Sequence, residues 1–392
     1  MEFVTTIGWL EPLLPHDVPQ SLLDKSDRLQ RESVRLSALL APETALRVGR
    51  LLRATNSFYS NLIEGQYTEP LVLAANVPRR CRKELTALAY THMDAQHTFE
   101  RVLHRYQGLS WTDLFSSDFL VRVHARLFLN ATPAELTLKD GSLMQPGLLR
   151  TYNVRVGAHV PPDQGIVPAM ITRMAEVYGR ERDFRRQLLG ALAWHHRCAW
   201  VHPFPDGNGR TLRLMTHLHL QKLGLASDLW SLSRGLARQQ SEYYARLQQA
   251  DQPRQGDLDG RGQLSQRGLF AFMDFMLDAC LDQVGYMTEA LATHDLRTRL
   301  EAMVLTEPRL REAGIRVEAA RALHVLIMQG RVSRADFKVF LGLGDRLATS
   351  QLAALVQLGV VESPTPRARE LFPGFPGWFA QGVFPDLYRR FQ

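Results

Sequence analysis

The stretch that decides the fold is His202-Pro-Phe-Pro-Asp-Gly-Asn-Gly-Arg-Thr-Leu-Arg213. An apolar helix ends just before it, because Pro203 and Pro205 cannot continue a helix. The turn that follows contains two glycines, whose backbone adopts left-handed angles at little cost. A new helix begins near Gly209 or Arg210. The pattern therefore predicts two helices joined by a tight, glycine-rich turn.

This turn has the properties of an anion site. The free N–H groups and the dipole of the new helix favour a negative charge, and Gly207, Asn208 and Gly209 add backbone donors. Arg210 and Arg213 lie three residues apart, so they share one face of that helix. Two guanidinium groups suit a polyphosphate, because each binds oxygens in pairs.

Two further side chains beside the turn can supply chemistry. Asp206 is a single carboxylate, the usual minimal protein contribution to a Mg²⁺ site completed by phosphates and water. His202 is a candidate general base near neutral pH. The alternative interpretation is a plain helical corner with surface arginines. The presence of base, carboxylate, anion site and two arginines within twelve residues argues against it.

The rest of the chain is predominantly helical in pattern. Apolar residues recur at three- and four-residue spacing over 21–55, 83–106, 112–129, 167–180, 184–200, 209–223, 240–250, 265–292 and 317–329. The main strand signal runs from Leu149 to Val160, and the breaker-rich stretch 251–263 predicts a loop. A looser boundary is expected near 293–316. We therefore predict an all-α protein.

Composition limits the class of protein. The 392 residues are 45% hydrophobic and 22% charged, which is ordinary for a soluble globular chain of two or three domains. The net charge of +7 is a mild basic excess for this length. Cys81, Cys198 and Cys280 are too few and scattered for a disulfide framework, which favours a reducing interior. The sequence contains neither a signal peptide nor an apolar run of ~20 residues, so we expect a cytoplasmic protein without membrane contact.

Residues 202–213 resemble the signature of the Fic family, His-x-Phe-x-Asp/Glu-Gly-Asn-Gly-Arg-x-x-Arg, at every specified position. Upstream, residues 146–162 are similar to the flap of that family. Downstream, 242–247 and 256–262 are similar to its later segments. The likeness covers roughly residues 50–290 and implies a Fic-type helical domain with a small β-hairpin flap.

The resemblance implies a protein adenylyltransferase, which moves AMP from ATP to a Ser, Thr or Tyr hydroxyl of a protein, with self-modification left open. By the same resemblance, His202 deprotonates the hydroxyl and Asp206 holds Mg²⁺ between the α- and β-phosphates. The phosphates would be bound by Gly207, Asn208, Gly209, Arg210 and Arg213.

Two finer expectations also come from the resemblance. The flap near 147–158 would pair with an extended target segment as an added strand. Tyr243 or Tyr244 would border the adenine, although both are equally compatible with the core. Removal of AMP, or another phosphate transfer on the same fold, stays open.

The stretch Ser60-Asn-Leu-Ile-Glu-Gly65 resembles the inhibitory motif of the family, Ser/Thr-x-x-x-Glu-Gly/Asn. Its position upstream places the chain with the class whose inhibitory helix is N-terminal. Glu64 would then pair with Arg213 and keep it from the γ-phosphate of ATP. The plain alternative is a helix that ends at Gly65.

The C-terminal part resembles a winged helix-turn-helix. Helices are expected at 317–329, at 334–340 after a Ser333 cap, and at 345–358, followed by a short strand at Val360-Val361. We divide the chain into an N-terminal helical region with the inhibitory helix near 57–65 (1–110), a catalytic core (111–292) and this winged-helix-like domain (293–392). Whether that domain contacts DNA or protein is left open, as is a homodimer. The alternative function is a nucleotide-responsive DNA- or protein-binding regulator on a Fic scaffold.

Overall fold

A computed structural model of the chain describes residues 3–68, 84–105, 109–225 and 227–389. Helices make up most of these residues, which confirms the all-α prediction. The α-helices of the described residues are α1 Gln20–Ala38, α2 Pro42–Ile63, α3 Glu84–Arg105, α4 Trp111–Leu114, α5 Ser117–Leu127, α6 Pro133–Leu136, α7 Val167–Gly179, α8 Phe184–Val201, α9 Asn208–Lys222, α10 Leu232–Arg238, α11 Gln240–Ala250, α12 Gln266–Ala290, α13 Thr293–Thr306, α14 Pro308–Glu312, α15 Ala319–Gln329, α16 Arg334–Leu341, α17 Asp345–Gln357 and α18 Gly377–Val383.

The helical pattern predicted over 21–55 is divided between two helices, because the chain breaks between α1 and α2. Pro42 occupies the first turn of α2, where its fixed φ and missing N–H are tolerated. From there α2 continues to Ile63 and carries the Ser60–Gly65 motif to its C-terminus. The apolar periodicity spans the break, since both helices present a buried face to the same core.

The predicted strand from Leu149 to Val160 is also wrong over most of its length. Its only pairing among the described residues is the antiparallel bridge between Val156 and His159, closed by two backbone hydrogen bonds of 3.0 Å. Gly157 takes a left-handed φ of 58° at that turn, so the flap is a minimal hairpin. Outside that bridge the segment forms no ladder with other described residues, and the Arg150 N–H bonds to Pro203 O at 2.9 Å, in the turn of residues 202–213.

Residues 293–316, predicted to be loose, are helical over most of their length as α13 and α14. The C-terminal part then continues with α15, α16 and α17. Three short strands, β1 Val332–Ser333, β2 Val361–Glu362 and β3 Glu370–Pro373, form an antiparallel sheet in the order β1-β3-β2. Ser333 caps α16 as expected by accepting from Asp336 N–H.

The core of the catalytic part is centred on α8 and α9, which pack against each other. Leu188, Leu192, Trp194 and Leu218 are fully buried between them and their neighbours. Each such side chain contributes about 2 kcal/mol through removal of its apolar surface from water. This packing fixes the two helices that flank the catalytic turn.

Residues 384–389, which we name the C-terminal tail, pack against α2. The Tyr59 hydroxyl lies 3.0 Å from Leu387 O and 2.9 Å from Arg389 O and donates to these carbonyls. The Tyr388 ring meets Phe58 edge to face at a centroid distance of 6.1 Å. The end of the described chain is thus fixed to α2 directly before Ser60.

Within the described residues, no single helix combines the length and the apolar character needed to cross a membrane. Helices α16 and α17, which meet at an angle of 109°, pass that test only when they are taken together. Of the three cysteines, Cys198 and Cys280 are buried free thiols, as predicted. Cys81 lies outside the described residues.

Candidate active site

The catalytic turn begins with a strained residue. Helix α8 ends at Val201, and His202 adopts left-handed angles of φ 50° and ψ 65°. A residue with a β-carbon pays about 1 to 2 kcal/mol for this conformation. This left-handed conformation ends α8 and starts the turn.

Arg150 holds this strained residue from the flap side. Its Nε donates to His202 O at 2.9 Å, and its Nη2 lies 3.3 Å from Val201 O. The guanidinium also donates to Pro162 O at 2.5 Å and to Tyr152 O at 3.1 Å. Arg150 is buried, so these carbonyls replace its water shell. The sequence placed Arg150 in the flap but gave it no role.

The His202 imidazole is neutral at physiological pH. Burial, reinforced by the neighbouring His159 and Arg150 side chains, lowers the pKa of His202 to about 4. A neutral imidazole has a free lone pair with which it accepts a proton. This is the state that a general base requires.

The glycine turn leads directly into the first turn of α9. Gly207 caps α9 with a left-handed φ of 76°. The Asn208 side chain is used within the turn, because its Oδ1 accepts from Phe204 N at 3.0 Å and its Nδ2 donates to Phe204 O at 2.8 Å. Asn208 therefore shapes the turn through its side chain. What remains to face a ligand is the set of N–H groups in the first turn of α9, which have no partner within the helix.

The Arg210 guanidinium lies over the carboxylate before the turn. Its Nη2 is 3.1 Å from Asp206 Oδ2, its Nη1 is 3.4 Å from Gln66 Oε1, and its Cζ lies 4.7 Å from the centre of the Phe128 ring. Asp206 keeps a side-chain exposure of 55% in spite of this pair. Its carboxylate is therefore open on the solvent side of the turn.

Asp206 fits the Mg²⁺ expectation in one respect. Among the described residues, no group of three or more His, Cys, Asp or Glu side chains could hold a metal ion by itself. A single exposed carboxylate is what remains, and Mg²⁺ commonly binds to one or two carboxylates together with substrate phosphates and water. The donor set thus suits a Mg²⁺ that arrives with a nucleotide.

Arg213 is occupied by the Ser60–Gly65 motif. Its Nη2 lies 2.6 Å from Glu64 Oε1 and 2.9 Å from Ser60 O, and its Nε lies 3.0 Å from Ser60 Oγ. Burial lowers the pKa of Arg213, but the charge of Glu64 outweighs it, so the pKa lies above its usual value. The predicted contact between Glu64 and Arg213 is therefore present.

Glu64 also lies over the first turn of α9. A β-carbon built on Gly209 would overlap Glu64 Oε1 and lie 3.0 Å from Arg213 Nη1. Gly65 takes a φ of 78° just after the end of α2, so it also terminates the helix in the plain sense. Helix termination and the ion pair are both properties of this motif.

The two tyrosines of α11 differ in their surroundings. Tyr243 is buried, and its hydroxyl bonds to His195 Nε2 at 2.8 Å, as a core residue does. Tyr244 is 45% exposed, and its hydroxyl donates to Ile63 O at the end of α2, 3.3 Å away. The adenine contact stays a prediction for both residues, and Tyr244 is the one with an open face.

A second residue that the sequence analysis missed is His124 on α5. Its ring is fully buried and contacts both the flap and the catalytic turn. No local pattern signals such a residue, because its partners are 23 and 82 positions away in the sequence.

Residues 114–220 match the sequence model of the Fic/DOC family. The matched range contains helix α8, all but the last two residues of α9, the turn between the two helices, and the flap. The chain therefore contains a Fic domain, and the resemblance seen in the sequence is confirmed.

Relatives of known name agree with this assignment. The protein adenylyltransferase Fic of Drosophila persimilis is 26% identical over 226 residues, which are 57% of this chain and 37% of that protein. Its counterpart in Drosophila grimshawi is 31% identical over 144 residues, 33% of this chain and 29% of that protein. The chain thus matches only about a third of the length of these curated relatives.

The fold has a solved counterpart. The crystal structure of a Fic family protein from Desulfovibrio desulfuricans G20 aligns with 92% of this chain and 98% of its own, with a TM-score of 0.54 and 17% identity. At that identity the likeness extends to the fold alone. It confirms a Fic-type helical architecture.

Proposed function

We propose that this chain is an autoinhibited protein adenylyltransferase that transfers AMP from ATP to a Ser, Thr or Tyr hydroxyl of a protein, its own hydroxyls included. The observation that carries the proposal is the complete catalytic turn. His202, the first turn of α9 and two arginines belong to one twelve-residue segment, in which Arg210 lies beside Asp206 and Arg213 beside Glu64. Curated relatives named protein adenylyltransferases support the same reaction.

In the proposed reaction the hydroxyl oxygen of the target forms a bond with the α-phosphorus of ATP. At the same time the α-phosphorus loses its bond to the oxygen that bridges the α- and β-phosphates, and pyrophosphate leaves. The hydroxyl proton goes to the neutral His202 imidazole. AMP therefore ends on the target oxygen, and the proton ends on His202.

The chain stabilises the negative charge that develops on the phosphates. N–H groups at Gly207, Asn208 and Gly209 face the α- and β-phosphates in this proposal, where fixed donors need no reorganisation. Arg210 and Arg213 bind the β- and γ-phosphates. A Mg²⁺ ion held by Asp206 would add neutralisation of phosphate charge when bound.

The ion pair between Glu64 and Arg213 acts as a brake in this proposal. Arg213 cannot grip the γ-phosphate while its guanidinium is held by Glu64 and Ser60. The Glu64 carboxylate also repels phosphate oxygens from the space over Gly209. ATP then binds in a pose whose α-phosphorus is not in line with the target hydroxyl.

The first prediction concerns this brake. Glu64→Gly is expected to raise label transfer from α-³²P-ATP by at least tenfold over the unchanged chain, because Arg213 becomes free for the γ-phosphate. The double variant Glu64→Gly/His202→Ala is expected to transfer no label, since the base is gone. Mass spectrometry of the labelled protein would then identify the modified hydroxyl.

Two controls sharpen this experiment. Glu312→Gly removes an exposed glutamate from the end of another helix, α14, and is expected to leave transfer at the basal level. Parallel assays with γ-³²P-ATP distinguish adenylyl transfer from phosphoryl transfer, because only phosphoryl transfer labels the target from the γ-phosphate. If Glu64→Gly labels nothing from α-³²P-ATP, itself included, the proposal is wrong.

Removal of AMP is the second candidate activity. The Glu64 carboxylate lies beside Gly209 and would accept a proton from a water that attacks the phosphorus of a bound AMP ester. The bond from phosphorus to the target oxygen would break, AMP would leave, and His202 would return a proton to the target hydroxyl. Loss of label from a pre-labelled target, incubated with the unchanged chain and with Glu64→Gln, would test it. Release by the unchanged chain but not by the variant supports removal.

A DNA contact through the C-terminal part has weaker support. Of the basic residues in that part, Arg334 donates to Ala368 O and Ser363 Oγ, and Lys338 lies 3.0 Å from Asp345 Oδ1. These cations are engaged within the module. A winged-helix role, DNA binding and a homodimer stay predictions, to be tested by gel shift and by sedimentation.

A further inference from the structure

His124 lies between the two segments that the proposed reaction must bring together. It sits in the last turn of α5 and is fully buried. Its Nδ1 is 2.9 Å from the backbone N of Gly147, at the start of the flap. Its Nε2 is 3.0 Å from the carbonyl oxygen of Asp206, in the catalytic turn.

The chemistry of the two partners fixes the state of the ring. A backbone N–H can only donate, so Gly147 donates to Nδ1, and a carbonyl can only accept, so Nε2–H donates to Asp206. The ring is therefore neutral with its hydrogen on Nε2. A protonated ring would place an N–H against the N–H of Gly147.

The bond to Asp206 orients the anion site. In a trans peptide unit the C=O and the following N–H point in opposite directions. Because the Asp206 carbonyl points down onto His124, the N–H of Gly207 points away from His124, toward the open side of the turn. The ring also stacks on Phe204 at a centroid distance of 3.8 Å and an interplanar angle of 13°, so it cannot tilt freely.

Gly207, in its left-handed conformation, lies directly against the rings of Phe128 and His124. A β-carbon at Gly207 would lie 2.5 Å from the Phe128 ring and 3.2 Å from His124 Nε2. The turn is thus seated on two aromatic rings of α5 and its end. Contact with these two rings fixes the distance between the turn and α5.

The bond to Gly147 fixes the flap to the same platform. Gly147 has a φ of 85°, and a β-carbon there would lie 3.0 Å from Ala125 Cβ and 3.2 Å from Val121 O. The flap therefore starts in close contact with α5. Three residues later, Arg150 N–H bonds to Pro203 O in the catalytic turn.

We propose that His124 is a positioning residue for adenylyl transfer. It would act by joining the flap that presents the target hydroxyl to the turn that holds the α-phosphate, so that both keep one relative geometry. His124 touches neither substrate and acts through Gly147 and Asp206. The inference rests on the proposed function, since it is the transfer of AMP that needs the two segments aligned.

Two substitutions separate the two bonds. The amide of asparagine reaches the position of Nδ1, so His124→Asn keeps an acceptor for Gly147 and loses the donor to Asp206. The amide of glutamine reaches the position of Nε2, so His124→Gln keeps the donor to Asp206 and loses the acceptor for Gly147. Both are made in the Glu64→Gly chain, and each loses one buried hydrogen bond, which corresponds to a change of about tenfold.

The two variants are expected to affect different substrates, His124→Asn the binding of ATP and His124→Gln the KM for the target. His124→Asn should weaken ATP binding about tenfold by calorimetry, with KM for the target little changed. His124→Gln should leave ATP binding within about threefold and raise KM for the target about tenfold. Amide hydrogen exchange should speed up at 204–208 in the first variant and at 145–150 in the second.

Ser116→Ala is the matched control. Ser116 caps the same helix by accepting from Phe119 N at 3.2 Å, but it contacts neither the flap nor the turn through that bond. We expect it to lower the melting temperature and to leave the ratio of the two KM values unchanged. Equal losses in both His124 variants, matching this control, would overturn the positioning role.

A further measurement does not depend on the variants. In the Glu64→Gly chain, ATP should slow amide exchange at 145–150 as well as at 204–208, because His124 connects them. Slowing confined to 204–208 contradicts the inference. If the Glu64→Gly chain transfers no label, the proposed reaction fails, while the exchange and calorimetry results still decide whether His124 joins the two segments.

Discussion

The left-handed backbone at His202 is maintained by Arg150. Three donors of Arg150, two from the guanidinium and one from the backbone, reach the carbonyls of residues 201, 202 and 203. A hydrogen bond from a charged group is worth about 1.5 to 3 kcal/mol, which exceeds the cost of one strained residue. The position of His202 thus depends on a side chain 52 residues before it in the sequence.

Arg150→Lys tests this dependence. A lysine has one ammonium group and cannot reproduce the fork, so His202 is expected to relax toward ordinary angles. In the Glu64→Gly chain, kcat should fall at least tenfold, with the melting temperature lowered. Arg155→Lys, an exposed arginine of the same flap, is the control. An unchanged kcat in Arg150→Lys would show that His202 does not need this support.

Sequence reasoning located the side chains of the catalytic turn but not the residues that position them. His202, Asp206 and Arg213 are recognisable because their spacing within one helix-turn segment has a direct chemical meaning. Arg150 and His124 act through backbone groups that are distant in sequence. Their roles depend on how the helices pack, and no periodicity or spacing encodes that.

Helix α11 holds the C-terminal end of α2 in place. Ile63 O accepts from Gln240 Nε2 at 3.1 Å and from the Tyr244 hydroxyl at 3.3 Å. The last carbonyls of a helix have no partner within it, so these bonds stabilise the C-terminus of α2. Glu64 follows Ile63 directly, and its distance from Arg213 is thereby set from α11.

Tyr244→Phe should loosen this arrangement. Loss of one hydrogen bond of about 1 kcal/mol is expected to raise label transfer about fivefold above the unchanged chain. The same change in the Glu64→Gly background should have no activating effect, because no inhibitory carboxylate remains. Gln248→Ala, an exposed residue of α11, is the control. Activation that persists without Glu64 would contradict this explanation.

Elements were predictable where one physical signal dominated. Amphipathic periodicity located α8 and α9, and proline and glycine located the turn between them. The same signals failed at 39–41, where two helices share one buried face, and in the flap. There, alternation of side chains resembled a strand, although the backbone bonds went to another segment.

At the scale of the whole molecule, the buried histidines make stability depend on pH. Burial lowers the pKa of His92, His195 and His219 to about 3, and that of His124 and His202 to about 4. The unfolded chain binds these protons near pH 6.5 while the folded chain does not. Stability is therefore complete above pH 6.5 and falls as the pH drops toward 4.

The free energy of unfolding should consequently decrease between pH 7 and pH 5, by about 2 kcal/mol for each histidine. Urea unfolding at the two pH values measures this change. His219→Phe places a ring of similar size among Phe115 and Trp194, so its pH dependence should be shallower by one proton. An equal pH dependence in that variant would assign the effect to other groups.

The space over Gly209 has a consequence for how such a chain changes over evolution. Under the proposed function the Glu64 carboxylate and a nucleotide phosphate would occupy the same volume, and a β-carbon on Gly209 would overlap Glu64 Oε1. A larger side chain in place of Gly209 would therefore displace Glu64 and also block the nucleotide, so it could not relieve the proposed inhibition without loss of activity. Mutations that strengthen or weaken the proposed inhibition are therefore expected in α2 or in the segments that pack against α2. Because Tyr59 ties α2 to the C-terminal tail, mutations at the far end of the chain are candidates for setting how often the enzyme is active.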